Sequence, residues 1–512
     1  MHSSIAKLTG LMQRTLQNRL RAFQHNPYKD QIAYVRVGNE LHPGERVFRE
    51  KRLLHVKSAL EKLLDKSLDL QSVPTIALVE SGGGFRSLMS TTGWHVGLVK
   101  SGLMDAVTYM VSSSGSAIST ALWFSHNVSI EQFKERLIFT TQYRAFWSLG
   151  SMHDLLLWSK ALVAKKLCNQ KTTLIDWWSY LGMNWTMKDF GNDRHRVYLS
   201  EQAKIVEQGY LPFPIYTALC TSTKNMYEFT PYEIGSSQLG MYVPSWAYGR
   251  AFQDGVSIDY APEQSLGFLL GTFGSVFAVK LSFAFKYLTH HKDGSNVFKR
   301  CADFCVARIG HKRVTTAQVN NFTRGMQGSV LKHNTVMHLC DTAEAFSLPY
   351  APVSGDRTDR QSDILLFLDT SADMPLGLHQ AEHYARDKGL KFPRIDYVDI
   401  EKKMITIFKD EHDAAVPLVI YMPLVCNQEI FEILQHDPMW EHNKQLFDHF
   451  DAHNFIQQKF SKSLNTRYAQ EDVQQLSALA EGLIYINKHA ILEAIAWKMQ
   501  QRNNIKSKGE FI

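Results

Sequence analysis

"TIALVESGGGFRSLMSTTGWHVGLVKSGLMDAVTYMVSSSGSAISTALWFSH", residues 75–126, decides the fold. Its first six residues read as a buried strand, "SGGGF" as a turn, and "RSLMSTTGWHVGLVKSG" as a helix stopped by Gly102. The pattern then repeats: "VTYMV" is a strand, "SSSG" a turn and "SAISTALWFSH" a helix. Two strand–turn–helix units in succession begin a parallel sheet with helices on its faces. Further along, "DILLFLD" (363–369) and "VPLVIYMPL" (416–424) read as strands, with a helix over 378–388 between them. The fold class expected is α/β, a central mostly parallel sheet flanked by helices. Helical embellishments are expected over 130–180 and 440–505. The stretch 309–345 is the least periodic and is expected to hold mobile loops.

The rest of the chain constrains function by exclusion. Of its 512 residues, 45% are hydrophobic and 21% charged, an ordinary globular composition. A net charge of +6 suits an anionic surface or substrate but falls short of a nucleic-acid footprint, so no nucleic-acid partner is expected. Six scattered cysteines point to free thiols in a reducing compartment. Cys301 and Cys305 lie four apart near His290, His291 and His311, a spacing that zinc could use. One helical turn of buried thiols accounts for it better, and no metal is expected. The opening "MHSSIAKLTG" has neither an apolar core nor a small-residue cleavage site, so no secretory leader is expected. The uncharged stretch 265–279 is too short to span a bilayer and reads as a buried helix.

Residues 1–24 carry Ile5, Leu8, Leu11, Met12, Leu16 and Leu20 at helical spacing with Lys7, Arg14, Arg19 and Arg21 and no acid. Such a helix lies on anionic lipid, docks on the body or is a frayed terminus. A second helix over 49–68 places Leu53, Val56, Leu60, Leu63, Leu64 and Leu68 on one face and reads as structural.

Three elements could carry chemistry. A serine between strand and helix fits a nucleophile elbow, usually written G-x-S-x-G. Here the five residues are Ser112 to Ser116, with Ser114 central and serine in place of both flanking glycines. Small residues are what the crowded elbow requires, and serine is small; a polar turn is the alternative. The glycines of "ESGGGFRSL" (80–88) let backbone N–H groups approach a ligand. The phosphate-loop pattern is absent and a dinucleotide fingerprint is broken; an oxyanion hole is another use of such a turn. Arg86, opening the helix, could add a charge for a phosphate. Asp369 ends the strand 363–369, and open parallel sheets gather ligands at such ends. "HQAEH" (379–383) matches a zinc-protease pattern, but no third ligand is evident and an exposed amphipathic helix is the better account.

With these residues in place the chain resembles the catalytic domain of the cytosolic (group IV) phospholipase A2 and lysophospholipase family, patatin-like hydrolases with a Ser-Asp dyad. "SGGGFRSLM", "YMVSSSGSAISTALWFSH", "FTPYEIG" (229–235), "GTFGSVFAV" (271–279), "FSLPYAP" (346–352), "DILLFLDTSAD" and "GLKFPRID" (389–396) look like the family's landmarks in the family's order. The likeness runs from about residue 45 to near 500.

The resemblance implies a fold of the patatin/cytosolic phospholipase A2 type, related to α/β hydrolases. It places the nucleophile on Ser114, the catalytic aspartate on Asp369, the oxyanion glycines on Gly83 and Gly84, and the essential arginine on Arg86. No histidine, cofactor or metal is implied. The implied activity is hydrolysis of fatty acyl esters of glycerophospholipids through an acyl-enzyme, with transacylation as a variant. A catalytically impaired relative acting as a lipid-binding or interaction module is the alternative. The family usually has glycine where Ser112 stands, which puts the sharpness of the elbow in question. Residues 1–44 are expected to form an N-terminal helical segment able to contact membrane, 45–505 a single catalytic domain and 506–512 a tail. The calcium-dependent lipid-binding domain that some members carry is not expected before residue 45. Docking on a phospholipid surface is then expected to use the basic helix, apolar loops or a protein activator. The location implied is cytoplasmic with transient membrane association, or host cytoplasm for a bacterial pathogen's protein.

Overall fold

The strongest apolar runs in the sequence become the middle of one sheet. In the computed structural model, which describes residues 13–20, 23–142, 151–176, 179, 186–275, 316–448, 450, 452 and 469–507, these runs are buried along their whole length. Strand β1 spans Arg36–Val37, β2 Ile76–Glu80, β3 Tyr109–Ser112 and β4 Phe213–Cys220. An antiparallel run follows: β5 Met226–Phe229, β6 Glu233–Ser236 and β7 Met241–Pro244, then a small hairpin of β8 Phe252–Gln253 and β9 Val256–Ser257. The remaining strands are β10 Ala317–Asn320, β11 Val336–Asp341, β12 Ile364–Asp369, β13 Thr406–Phe408 and β14 Leu418–Pro423. The main sheet has the order β1-β7-β6-β5-β4-β3-β2-β12-β14-β13, with β11 also paired to β4 and β10 to β11.

The five central strands β4, β3, β2, β12 and β14 are all parallel. Parallel strands must be covered on both faces, which is why each reads as an unbroken apolar run. The covering helices include α1 Pro43–Leu64, α2 Phe85–Ser101, α3 Ser114–His126, α4 Ile130–Gln142, α5 Met152–Leu167, α6 Leu266–Phe273, α7 Leu376–Asp387, α8 Gln428–His436 and α9 Gln470–Ser507. Helix α1 starts earlier than its leucine spacing predicts, because His42 accepts a bond from Gly44 N and Pro43 occupies the first turn. It buries Phe48, Arg52, Val56 and Leu60, while Leu53, Leu63 and Leu64 are only partly covered. Helices α2 and α9 cross closely: a Cβ on Gly97 would lie 2.8 Å from the Glu481 carbonyl oxygen. Helix α2, which carries the glycine turn at its start, is thereby pinned between the sheet and α9.

Residues 13–20 are helical and mostly exposed, with Leu16 on the outside. From Phe23 onward the N-terminal segment lies against the body. Phe23 stacks on His195, Arg250 donates to the carbonyls of Tyr28 and Gln31, and β1 pairs with β7. Cys301, Cys305, His290, His291 and His311 lie outside the described residues. No cluster able to hold a metal ion occurs among the described residues. In "HQAEH", His379 stacks on Tyr397 and His383 pairs with Asp387. No helix among the described residues is long and apolar enough to cross a membrane.

The stretch 309–345, read as able to hold loops, carries strands β10 and β11 with turns between them where it is described. Strand β11 alternates exposure over its first residues because it is antiparallel and half-covered, so it lacks the continuous apolar signal of the central strands.

Candidate active site

Strand β4 is shared on one edge by two strands. Strand β3 covers its first half and ends with Ser112 opposite Tyr216. Strand β11 runs in from the other direction and ends with Asp341 opposite Ala218. Their ends are therefore separated along β4 by Thr217 alone. Thr217 Oγ1 donates to the Ser112 carbonyl at 3.1 Å and accepts from Thr342 Oγ1 at 3.0 Å, stapling the gap.

Just past the end of β3, Ser114 takes φ +52°, a left-handed backbone that non-glycine residues adopt only when their surroundings hold them there. The elbow is therefore sharp, with serine at position 112. Ser114 Oγ donates to Asp341 Oδ2 at 2.7 Å. Asp341 is fully buried and oriented from two further sides: its Oδ1 accepts from Ala343 N at 2.9 Å, and its N–H donates to Ser275 Oγ at 2.7 Å.

The carboxylate bonded to Ser114 is thus Asp341 and not the expected Asp369. Asp369 does end its strand and is fully buried, but the bonds of its carboxylate go to other partners than Ser114. Oδ1 accepts from the N–H and hydroxyl of Ser371 at 2.9 and 2.7 Å, and Oδ2 accepts from Tyr421 Oη at 2.8 Å. Burial and the Asp369 charge push the Tyr421 phenol well above its ordinary range. Asp369 instead fixes the start of a brace: Thr370 donates its N–H to Ser81 Oγ and accepts from Arg86 Nε, both at 2.7 Å.

Gly83 and Gly84 lie where the sequence places them, on the turn between β2 and α2. Gly84 has φ +66° and ψ −135°, a region for glycine. Among the described residues, the N–H groups of Gly83 and Gly84 meet no acceptor. The turn, the elbow and the aspartate loop crowd together. A Cβ on Gly82 would lie 2.9 Å from Ala343 Cβ and 3.1 Å from Ser114 Cβ. A Cβ on Gly115 would fall well inside van der Waals contact of the Gly84 carbonyl and Ser87 Oγ. Arg86 opens α2, largely buried.

The structure thus brings Ser114, Gly83, Gly84 and Arg86 to one edge of the sheet, with the Asp341 carboxylate bonded to Ser114. The sequence signal for Asp341 was an acid closing the run "VMHLCD" (336–341) just upstream of "FSLPYAP".

Known proteins bear the same arrangement of chain. Residues 76–337, just over half the sequence, match the family described as the lysophospholipase catalytic domain. Human cytosolic phospholipase A2 zeta is 28% identical over 459 residues, covering 76% of this chain and 53% of that protein. Mouse cytosolic phospholipase A2 gamma is 33% identical over 241 residues, covering 45% of this chain and 38% of its own length. The chain spans about half the length of the curated relatives it matches. Among solved structures, human GIVD cytosolic phospholipase A2 superposes with a TM-score of 0.77 at 21% identity, covering 91% of this chain and 68% of that one. That likeness establishes the fold: a central sheet, parallel in its middle, between helices. With its family match running from the first central strand to the start of β11, this chain belongs to the lysophospholipase catalytic domain family.

Proposed function

We propose that the chain is a lipid acyl hydrolase that cleaves fatty acyl esters of glycerophospholipids, with Ser114 as nucleophile and Asp341 as general base. The observation that carries this reading is the 2.7 Å bond from Ser114 Oγ to Asp341 Oδ2 at a left-handed elbow beside the glycine turn.

In the proposed reaction, Ser114 Oγ attacks the ester carbonyl carbon while its proton passes to Asp341. A carboxylate is a weak base towards an alcohol, so proton transfer must accompany attack. The N–H groups of Gly83 and Gly84 are assigned to the oxyanion that forms on the carbonyl oxygen. Collapse returns the proton to the departing alkoxide, releases a lysophospholipid and leaves an acyl ester on Ser114. Water then attacks that ester, giving up a proton to Asp341, and the fatty acid leaves as Ser114 is regenerated. Arg86 is assigned to the substrate phosphate, its Nε held by Thr370. A phospholipid surface at a cytoplasmic membrane is the proposed place of action. The net charge of +6 supports an anionic partner.

The test uses phosphatidylcholine vesicles labelled separately at sn-1 and sn-2, with wild type and Ser114→Ala. Release of labelled fatty acid by wild type and not by Ser114→Ala is the expected result. Equal release by both would overturn the assignment.

A further inference from the structure

Beneath the elbow lies a buried carboxylate that the proposed chemistry does not use. Glu80 ends β2 and is the register partner of Ser112 at the end of β3. Glu80, His95, Ser112 and Thr120 are all fully buried. Ser112 Oγ donates to Glu80 Oε2 at 2.7 Å, and Thr120 Oγ1 donates to the same oxygen at 3.2 Å. His95 Nε2 bonds Glu80 Oε1 on the other side. A polar group taken wholly out of water must be hydrogen-bonded, and here three side chains converge on one carboxyl group.

The four side chains come from four different elements. Glu80 precedes the glycine turn and His95 lies on α2, the helix that leaves it. Ser112 precedes the nucleophile and Thr120 lies on α3, the helix that leaves the elbow. One carboxylate therefore ties each turn on its strand side and on its helix side. The Ser112 hydroxyl is what joins β3 to this network, and glycine there would leave Glu80 short of a donor.

We propose that Glu80 is a positioning residue for the nucleophile. Through Ser112, His95 and Thr120 it fixes the separation between the Ser114 elbow and the Gly83–Gly84 turn. The proposal rests on Ser114 being the nucleophile, and it makes Ser112 a working part of the site where glycine would have been expected.

The test measures inactivation of the full chain by an alkyl fluorophosphonate, followed by intact mass, with the limiting rate and half-saturating concentration read separately. Ser112→Ala, Ser112→Gly and Glu80→Gln are compared with Leu434→Ala, which empties a site between α8 and α9 away from the elbow. Thermal unfolding is recorded for each. The expected result is a limiting rate about 10-fold or more lower in Ser112→Ala and Glu80→Gln, with half-saturation unchanged. Ser112→Gly is slowed likewise. Leu434→Ala loses thermal stability yet keeps the wild-type rate. The Ser112→Ala, Glu80→Gln double variant is slowed no more than about twofold beyond the slower single, because both break one network.

Folded single variants that react at the wild-type rate overturn the proposal, as do losses that multiply in the double variant. If Ser112→Ala does not fold, Glu80→Gln decides, and failure of both to fold makes the network a folding element and ends the proposal. A Ser114→Ala control that still takes up the probe overturns the nucleophile assignment and this inference with it. A silent Ser114→Ala beside unaffected Glu80 and Ser112 variants overturns the positioning role alone.

Discussion

Ser112 and Asp341 close two strands that run head-on along the same edge of β4, stopping opposite Tyr216 and Ala218 with Thr217 between them. That relationship makes the site. Ser114, the proposed nucleophile, lies two residues beyond one strand end and meets the carboxylate that closes the other.

The left-handed backbone of Ser114 leads to a first prediction. A non-glycine residue held there stores on the order of 1 kcal/mol of strain that glycine would not. Ser114→Ala and Ser114→Gly both lose the bond to Asp341, so their difference isolates the backbone. Ser114→Gly is expected to be the more stable of the two by about 1 kcal/mol in denaturant unfolding. Equal stability would argue against a strained elbow.

Gly115 supplies a second. Its missing Cβ is what allows the elbow to lie against the Gly84 carbonyl and Ser87. Gly115→Ala is expected to separate the elbow from the glycine turn, abolishing fluorophosphonate labelling and costing about 1–3 kcal/mol of stability. Wild-type labelling in that variant would contradict the close approach.

Much of this was legible beforehand. The strands 76–80, 109–112, 364–369 and 418–423 announce themselves because burial on both faces demands continuous apolar runs. Ser114, Gly83, Gly84 and Arg86 stand out as candidates because turns between such strands and helices have a local signature. Asp341 does not. Its strand carries His338 and Cys340, alternates in burial, and pairs antiparallel from a stretch without clear period. Asp369 closes a stronger strand and satisfied the rule that ligands gather at carboxyl ends. The rule points to the same edge of the sheet, where tertiary pairing sets Asp341 rather than Asp369 against Ser114.

Stability should also depend on a carboxyl remote from the chemistry. Burial pushes Glu263 up to about 7 from an ordinary 4.5, with Ser200 bonding both its oxygens. The native state then holds a proton that the unfolded chain has lost. Its contribution is full below about 4.5, falls as pH rises and is gone above about 7. Glu263→Gln, which keeps the neutral shape, is expected to match wild type at pH ~4.5 and exceed it at pH ~8 by on the order of 2 kcal/mol. A constant difference across that range would contradict the burial of a neutral acid.

The most direct test of the central claim sets Asp341→Asn beside Asp369→Asn in hydrolysis of labelled phosphatidylcholine vesicles, each variant checked for folding by its melting temperature. Asp341→Asn removes the proposed base while leaving an isosteric side chain, and its turnover is expected to fall by about 10²–10⁴-fold with little change in melting. Asp369→Asn disturbs the brace with Tyr421 and Ser371, and is expected to lower the melting temperature while keeping most of the turnover of its folded fraction. Turnover retained in Asp341→Asn and abolished in folded Asp369→Asn would contradict the assignment.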